Sequence, residues 1–401
     1  MISTDLIREL ALTTPSKIVL LVMDGVGGLP DLQSGRTELE TAHSPNLDRL
    51  AAEGITGVVE PVGPGISPGS GPGHLALFGY DPIACLVGRG ALSALGVGFT
   101  LEREDVAARI NFATVDAEGR VTDRRAGRIP TDFNRELVAE LRQIRLPGVE
   151  IILETEAGHR AVVVFRAPGL DDHLTDTDPQ AVGIPPHPVR PTAPAAAKTA
   201  DIANAWIAQA ARLLGNRLPA NYVLLRGFAK HPDIPTLPEI YKLNPAAIAA
   251  YPMYRGLGQL VGMKVLQTGA TFADEVQTMR EHWAEHDFFF IHYKYTDSTG
   301  EDGNFPAKVA AVEEVDRLLP ELLALKPDVI AVTGDHSTPS RLRGHSWHPV
   351  PFMLRSEWII NDEVDHFSER ACARGQLGRF PSQEVMLHLM AHALKLQKYG
   401  A

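Results

Sequence analysis

The chain is poor in cysteine, has no excess of cationic charge and has no long apolar run, and each shortage removes a class of protein. Two cysteines, Cys85 and Cys372, stand far apart in 401 residues and outside any metal-spaced or redox-spaced pair, so no disulfide framework is encoded. Lys plus Arg number 38 against 49 Asp plus Glu, a net charge of −11. A chain that acidic does not coat nucleic acid or an anionic membrane through its overall charge, and any anionic ligand has to be met by a local basic cluster. The N-terminal segment MISTDLIRELALTTPSK carries acids and lacks a cationic-then-apolar order, and the apolar run Ile18 to Met23 is far shorter than a membrane span. These features predict a soluble, unsecreted, cytoplasmic protein with no nucleic acid and no membrane as partner. No internal repeat, Walker loop or dinucleotide-spaced glycine set is present.

What is present is an ordinary globular composition, 44% hydrophobic and 22% charged. At roughly 150 residues per domain the length corresponds to two or three domains. KIVLLVMDGVGG (Lys17 to Gly28) reads as a buried parallel strand that delivers Asp24 to a glycine-rich loop. HDFFFIHYKYTDSTG (His286 to Gly300) and DVIAVTGDHSTP (Asp328 to Pro339) repeat that pattern of strand followed by acid. Helical segments intervene. In SPNLDRLAAEG, Ser44 is the expected cap and Pro45 the first helical residue, and AKVAAVEEVDRLLPELLAL (Ala307 to Leu325) has apolar residues at helical spacing. The alternation predicts an α/β domain with a mostly parallel sheet and a ligand beyond the strands' carboxyl ends.

The middle of the chain reads as hairpins, RINFATVDAEGRVTDRR turning at AEG and VEIILETEAGHRAVVVFRA turning at EAG, followed by the Pro-rich connection GIPPHPVRPTAPAAAK. Acid-bearing strands lie on both sides of it. The expectation is therefore an α+β domain of residues 96–244 inserted into a discontinuous domain of residues 1–95 and 245–401.

Asp24, Asp297, the adjacent Asp335 and His336, and His345 all fall at or just after strand ends. Carboxylate and imidazole donors converging on one sheet edge are what a pair of divalent cations requires. Such a pair can clamp a transferring phosphoryl group and activate a hydroxyl, for which Ser70 in GPGISPGSGPGH is the candidate. Singly, each acid after a strand is more often a helix cap and each histidine more often a hydrogen-bonded surface or core group. Arg124, Arg125 and Arg128 in TDRRAGR, with Asp123 before them and Arg109 upstream, suit bidentate capture of phosphate or carboxylate, a solvated charged face being the alternative. His159, Arg160, Arg226, Arg255 and Lys294 are lesser candidates of the same kind.

In order along the chain, VLLVMDGVGG, TAHSPNLDRLAAEG, GSGPGHLALFGYDP, GRGALSALGVG, ARINFATVD, TDRRAGRI, TDTDP, YPMYRGLGQLVGM, TDSTGEDGN, TGDHSTP and HSWHPVPFML resemble the archaeal-type 2,3-bisphosphoglycerate-independent phosphoglycerate mutases of the alkaline phosphatase superfamily. The resemblance implies an alkaline phosphatase-like metal domain interrupted by a substrate-binding domain. It implies that Ser70 is the phosphorylated serine, that Asp24, Ser70, Asp335 and His336 hold one metal, and that Asp297 and His345 hold another. The family's third ligand of that second metal is a histidine four residues after the aspartate. Here DSTGE puts Glu301 there, with Asp302 beside it, which favours harder cations. Two divalent cations are implied, Mn²⁺ foremost, with Mg²⁺, Co²⁺ or Zn²⁺ as alternatives.

The implied reaction is interconversion of 3-phosphoglycerate and 2-phosphoglycerate through a phosphoserine in glycolysis and gluconeogenesis, with the domains closing over the substrate to exclude water. A phosphatase, a homoserine kinase-like phosphotransferase or a catalytically silent sensor of phosphorylated ligands remain the other readings. The oligomeric state is not encoded legibly.

Overall fold

The computed structural model describes residues 2–85 and 87–400 and separates into two compact units. The first comprises Met1–Leu86, Ile234–Tyr251 and Leu257–Ala401, and the second Val87–Asp233 with Pro252–Gly256. The second unit starts before residue 96 because the helix Arg89–Gly96 packs on its sheet: a Cβ at Gly90 would lie 2.2 Å from Ala107 O. Among the described residues no helix is long and apolar enough to cross a membrane. Both cysteines are free thiols.

The first unit is built on an eight-stranded sheet whose central strand, Ile18–Met23, is wholly buried. It is IVLLVM, apolar at every position, as a strand covered on both faces requires. It pairs in parallel with Phe288–Tyr293 on one side and Val329–Thr333 on the other. Phe288–Tyr293 pairs in turn with Pro245–Ala249, again in parallel. Two antiparallel pairs complicate the expected parallel sheet: Val350–Ser356 runs against Val329–Thr333 and also against Ile55–Glu60. The α/β architecture with a mostly parallel sheet otherwise stands as the sequence predicts.

Helices Pro45–Ala52 and Phe305–Leu323 form where the periodicity places them. The cap of the first differs. Ser44 occupies the N-cap but makes no side-chain cap bond, and Asp316 Oδ1 instead accepts from the backbone N–H of both Asn46 and Leu47 at 2.8 Å. A carboxylate from a neighbouring helix satisfies donors that a local hydroxyl was expected to take.

The second unit has a five-stranded antiparallel sheet that includes Asp105–Val115, Glu150–Ala157, Arg160–Arg166 and Tyr222–Ala229. Its own core gathers Val106, Ile110 and Phe112 from one sheet face with Trp206 and Ala210 of helix Ala197–Leu214. The second hairpin turns at Gly158 and His159, one residue later than EAG implied, because Ala157 still pairs with Arg160. The Pro-rich stretch carries no strand and ends in a short 3-10 turn, Pro194–Ala196, leading into that helix.

Candidate active site

Parallel register explains why acids far apart in sequence converge. Val22 is level with His292 and with Thr333, so the chain leaves all three central strands at one sheet edge. Asp24 follows the first strand, Asp297 sits in helix Tyr295–Glu301 after the second, and Asp335 and His336 follow the third. All four are buried. Ser70 opens the helix Ser70–Leu77, and its Oγ lies 3.2 Å from His336 Nε2. That helix approaches the Asp335 loop closely: a Cβ at Gly73 would lie 2.3 Å from Asp335 O.

His336 is the hub. Its Nε2 lies 3.2 Å from Asp24 Oδ1 and 3.2 Å from Asp335 Oδ2. Thr338 Oγ1 donates its one hydrogen to Asp297 Oδ1 at 2.6 Å and stands 3.0 Å from His336 Nδ1, so it accepts from that nitrogen. The arrangement leaves Nε2 as the nitrogen facing Ser70 and the carboxylates. Burial alone would lower the His336 pKa, but Asp335, Asp24 and Asp297 overcome it and push it up to about 9. Burial likewise opposes ionisation of Asp24, yet Lys294, His292 and His336 hold it well below the usual carboxylate range.

His345 stacks on His336 with ring centroids 3.7 Å apart, and its Nε2 is 3.5 Å from Asp297 Oδ1. Donor atoms of Asp24, Asp335 and His336 fall within 4.8 Å of one another, as do those of Asp297, His336 and His345. His336 is thus common to both groups of donor atoms. Hard oxygens plus imidazole, with carboxylates crowded in a dry site, fit divalent cations. Glu301 stands at the rim: its side chain is 56% exposed and its Oε1 is 3.9 Å from His345 Nε2. Lys294 bridges two of the carboxylates, donating to Asp24 Oδ2 at 2.9 Å and Asp297 Oδ2 at 2.6 Å.

Four contributors escaped the sequence reading. His292 lies inside the strand run FFFIHY, with Nε2 3.2 Å from Asp24 Oδ2, and burial depresses its pKa to about 4. His74 donates from Nδ1 to Ser70 O at 2.8 Å and lies 3.1 Å from Asp335 Oδ2. Lys308, fully buried in a helix, donates to Gly25 O, Gly27 O and Thr338 O at 2.8–3.0 Å, joining the loops that carry Asp24 and His336. The fourth is Thr338 itself. A histidine in an apolar strand or a lysine in an amphipathic helix gives no local signal; only the parallel register brings them here.

In the second unit, Arg124 makes a bidentate pair with Asp178 at 2.7 and 2.8 Å, and Arg226 Nη1 is 3.3 Å from the same carboxylate. Asp123 accepts from the backbone of Arg125 and Gly127, shaping a loop in which Ala126, Gly127 and Arg128 all have positive φ, at 46°, 64° and 55°. Two non-glycine residues in the left-handed region mark stored backbone strain of about 1–3 kcal/mol each. His159 has its pKa lowered to about 4 by burial and by Arg160, Arg125, Arg109 and Arg128 around it. Arg255 is half-buried on helix Pro252–Leu260, and burial lowers its pKa.

A family model described as 2,3-bisphosphoglycerate-independent phosphoglycerate mutase matches residues 51–220. A Thermus thermophilus protein named probable 2,3-bisphosphoglycerate-independent phosphoglycerate mutase is 52% identical over 400 residues, covering 98% of each chain. An Aquifex aeolicus protein of the same name is 49% identical over 408 residues, covering 99% of this chain and 100% of its own. Among solved structures, a cofactor-independent phosphoglycerate mutase from Thermoplasma acidophilum superposes with a TM-score of 0.70 at 34% identity, over 94% of this chain and 100% of that one. A protein from Pyrococcus horikoshii superposes with a TM-score of 0.84 at 28% identity, over 97% of this chain and 100% of that one.

Proposed function

Because this chain belongs to the 2,3-bisphosphoglycerate-independent phosphoglycerate mutase family, we propose that it is a cytoplasmic isomerase interconverting 3-phosphoglycerate and 2-phosphoglycerate through a phosphoserine at Ser70. The observation that carries the reading is the Ser70 hydroxyl 3.2 Å from His336 Nε2, at the mouth of buried carboxylates.

Asp24, Asp335 and His336 with Ser70 would hold one divalent cation, and Asp297 and His345 with Glu301 a second. Such cations, Mn²⁺ foremost, supply positive charge to the transferring group and favour the ionised serine. Ser70 Oγ attacks phosphorus, the bond from phosphorus to the glycerate oxygen breaks, and that oxygen takes up the proton that the serine hydroxyl gives up. In the reverse sense the other glycerate hydroxyl loses its proton as it takes the phosphoryl group back, freeing Ser70. Lys294, ion-paired with Asp24 and Asp297, offsets part of their repulsion. His74, tied to the Ser70 carbonyl and close to Asp335, keeps nucleophile and carboxylate in register. Lys308 clasps the loops that present Asp24 and His336.

The Val87–Asp233 unit would bind substrate. Arg125 and Arg128 sit on the strained loop shaped by Asp123, with His159 and Arg160 near them. Arg124 and Arg226, anchored on Asp178, and Arg255 complete the set of cations offered to carboxylate and phosphate.

The test is an enolase-coupled assay on 3-phosphoglycerate with Mn²⁺, run beside a free-phosphate assay. The wild type should give mutase signal with little phosphate release, and Ser70→Ala should lose at least about 10³-fold of the rate while melting within a few degrees of the wild type. Full rate in Ser70→Ala would refute the phosphoserine, and phosphate release without mutase signal would refute the reaction.

A further inference from the structure

Arg109 and Asn111 stand two residues apart on the strand Asp105–Val115 and so share one face of the second unit's sheet, opposite the face that sends Val106, Ile110 and Phe112 into the core. The helix Arg89–Gly96 covers their side of the sheet. Arg109 is 9% exposed and Asn111 5%. Arg109 Nε and Asn111 Oδ1 are buried with no hydrogen-bond partner, and among the described residues no carboxylate forms an ion pair with Arg109.

The neighbours make matters worse for that cation. Arg226 lies directly across from Arg109 on the adjacent antiparallel strand, a like-charge pairing that destabilises a sheet. Arg226 has counter-charges of its own, with Asp178 at 3.3 Å and Asp176 at 3.8 Å. Glu156 attracts Arg109 through space, but its Oε2 accepts from Ser93 Oγ at 2.9 Å. Burial, together with Arg89, Arg160 and Arg226, lowers the Arg109 pKa to about 10.

A buried guanidinium nitrogen without an acceptor is costly, and residues of this kind persist where a ligand completes them. Here an unmet donor and an unmet acceptor lie on the same face of one strand, two residues apart. The group complementary to both carries an oxyanion next to a hydroxyl. A phosphate ester dianion has no hydroxyl to give, whereas a hydroxy-carboxylate has both.

Resting on the mutase reading above, we propose that Arg109 and Asn111 are the receptor for the hydroxy-carboxylate end of the substrate. Arg109 Nε donates to a carboxylate oxygen, and Asn111 Oδ1 accepts from the adjacent hydroxyl.

The experiment uses the full chain as wild type, Arg109→Met, Arg109→Lys and Asn111→Asp, with D-glycerate and inorganic phosphate as separate probes in calorimetric titrations, and with thermal melts of the ligand-free proteins. Arg109→Met and Asn111→Asp should each weaken D-glycerate binding by at least about tenfold. Arg109→Lys should recover part of it, and phosphate binding should change less than about twofold. Both weakening variants should melt about 2–4 °C higher than the wild type, since one removes the unmet charge and the other pairs it.

A purely structural Arg109 would give the opposite, lower melting with both ligands weakened, and that result overturns the proposal. Unchanged glycerate binding in Arg109→Met, loss of phosphate in place of glycerate, or no glycerate binding by the wild type overturns it too. The mutase assay decides the other question separately. An active wild type whose glycerate binding ignores Arg109 removes the receptor and keeps the mutase; an inactive wild type whose glycerate binding needs Arg109 does the reverse.

Discussion

His159 is the residue whose titration reports most directly on the arginine cluster. Its pKa of about 4 comes first from burial and then from Arg160, Arg125, Arg109 and Arg128. The folded value lies below the ordinary histidine value near 6.5, so the unfolded chain takes up the proton first as pH falls. Its contribution to stability is therefore complete above about pH 6.5 and is lost between 6.5 and 4. An anion settling among those arginines cancels part of their field. Saturating 3-phosphoglycerate should raise the His159 pKa in an NMR titration, and an unmoved value would mean that substrate binds elsewhere. The acids of the site were legible because Asp24 and Asp335 each follow an apolar run that could only be a buried strand. His74, His292 and Lys308 were not, because their contacts to Asp335, Asp24 and Gly25 cross most of the sequence and are set by register and helix packing that no local pattern records. Arg109 was legible only as an upstream companion of the arginine cluster and Asn111 not at all, since an alternating polar residue in a strand normally faces water.

Among the elements, the helix Ala197–Leu214 was not foreseen. The strands Ile18–Met23, Phe288–Tyr293 and Val329–Thr333 and the helices Pro45–Ala52 and Phe305–Leu323 followed from periodicity, while their ends did not. The helix Pro45–Ala52 shows why: Ser44 has the identity of a cap and Asp316 has the contact. Asp316→Ala should therefore cost about 1–3 kcal/mol in urea unfolding, as expected for one buried and one part-buried N–H group left without an acceptor, whereas Ser44→Ala should cost less than about 0.5 kcal/mol. Equal losses in the two variants would mean that the hydroxyl caps after all. Local propensity also could not show that Val350–Ser356 and Ile55–Glu60 join the sheet antiparallel, because strand direction depends on where intervening chain returns.

Taken as one chain, the two units differ in how far apart their partners lie in sequence. The Val87–Asp233 unit pairs strands between residues 105 and 229 and has its own hydrophobic core. In the other unit the central strand Ile18–Met23 pairs only with Phe288–Tyr293 and Val329–Thr333. Closing so long a loop before any contact rewards it slows pairing. Pulse hydrogen exchange during refolding of the full chain should protect amides of Asp105–Val115 and Arg160–Arg166 before those of Ile18–Met23 and Phe288–Tyr293. Simultaneous protection would show that the units fold as one. On a ribosome, at about 5–20 residues per second, the Ile18–Met23 segment waits roughly 15–50 s for the first of its neighbours to be synthesised. Through that interval a nascent polypeptide displays six consecutive apolar side chains and both unsatisfied edges of a strand, so the burden of keeping it from sticking to other polypeptides falls on the chaperones of the host cell, long before there is an enzyme to assay.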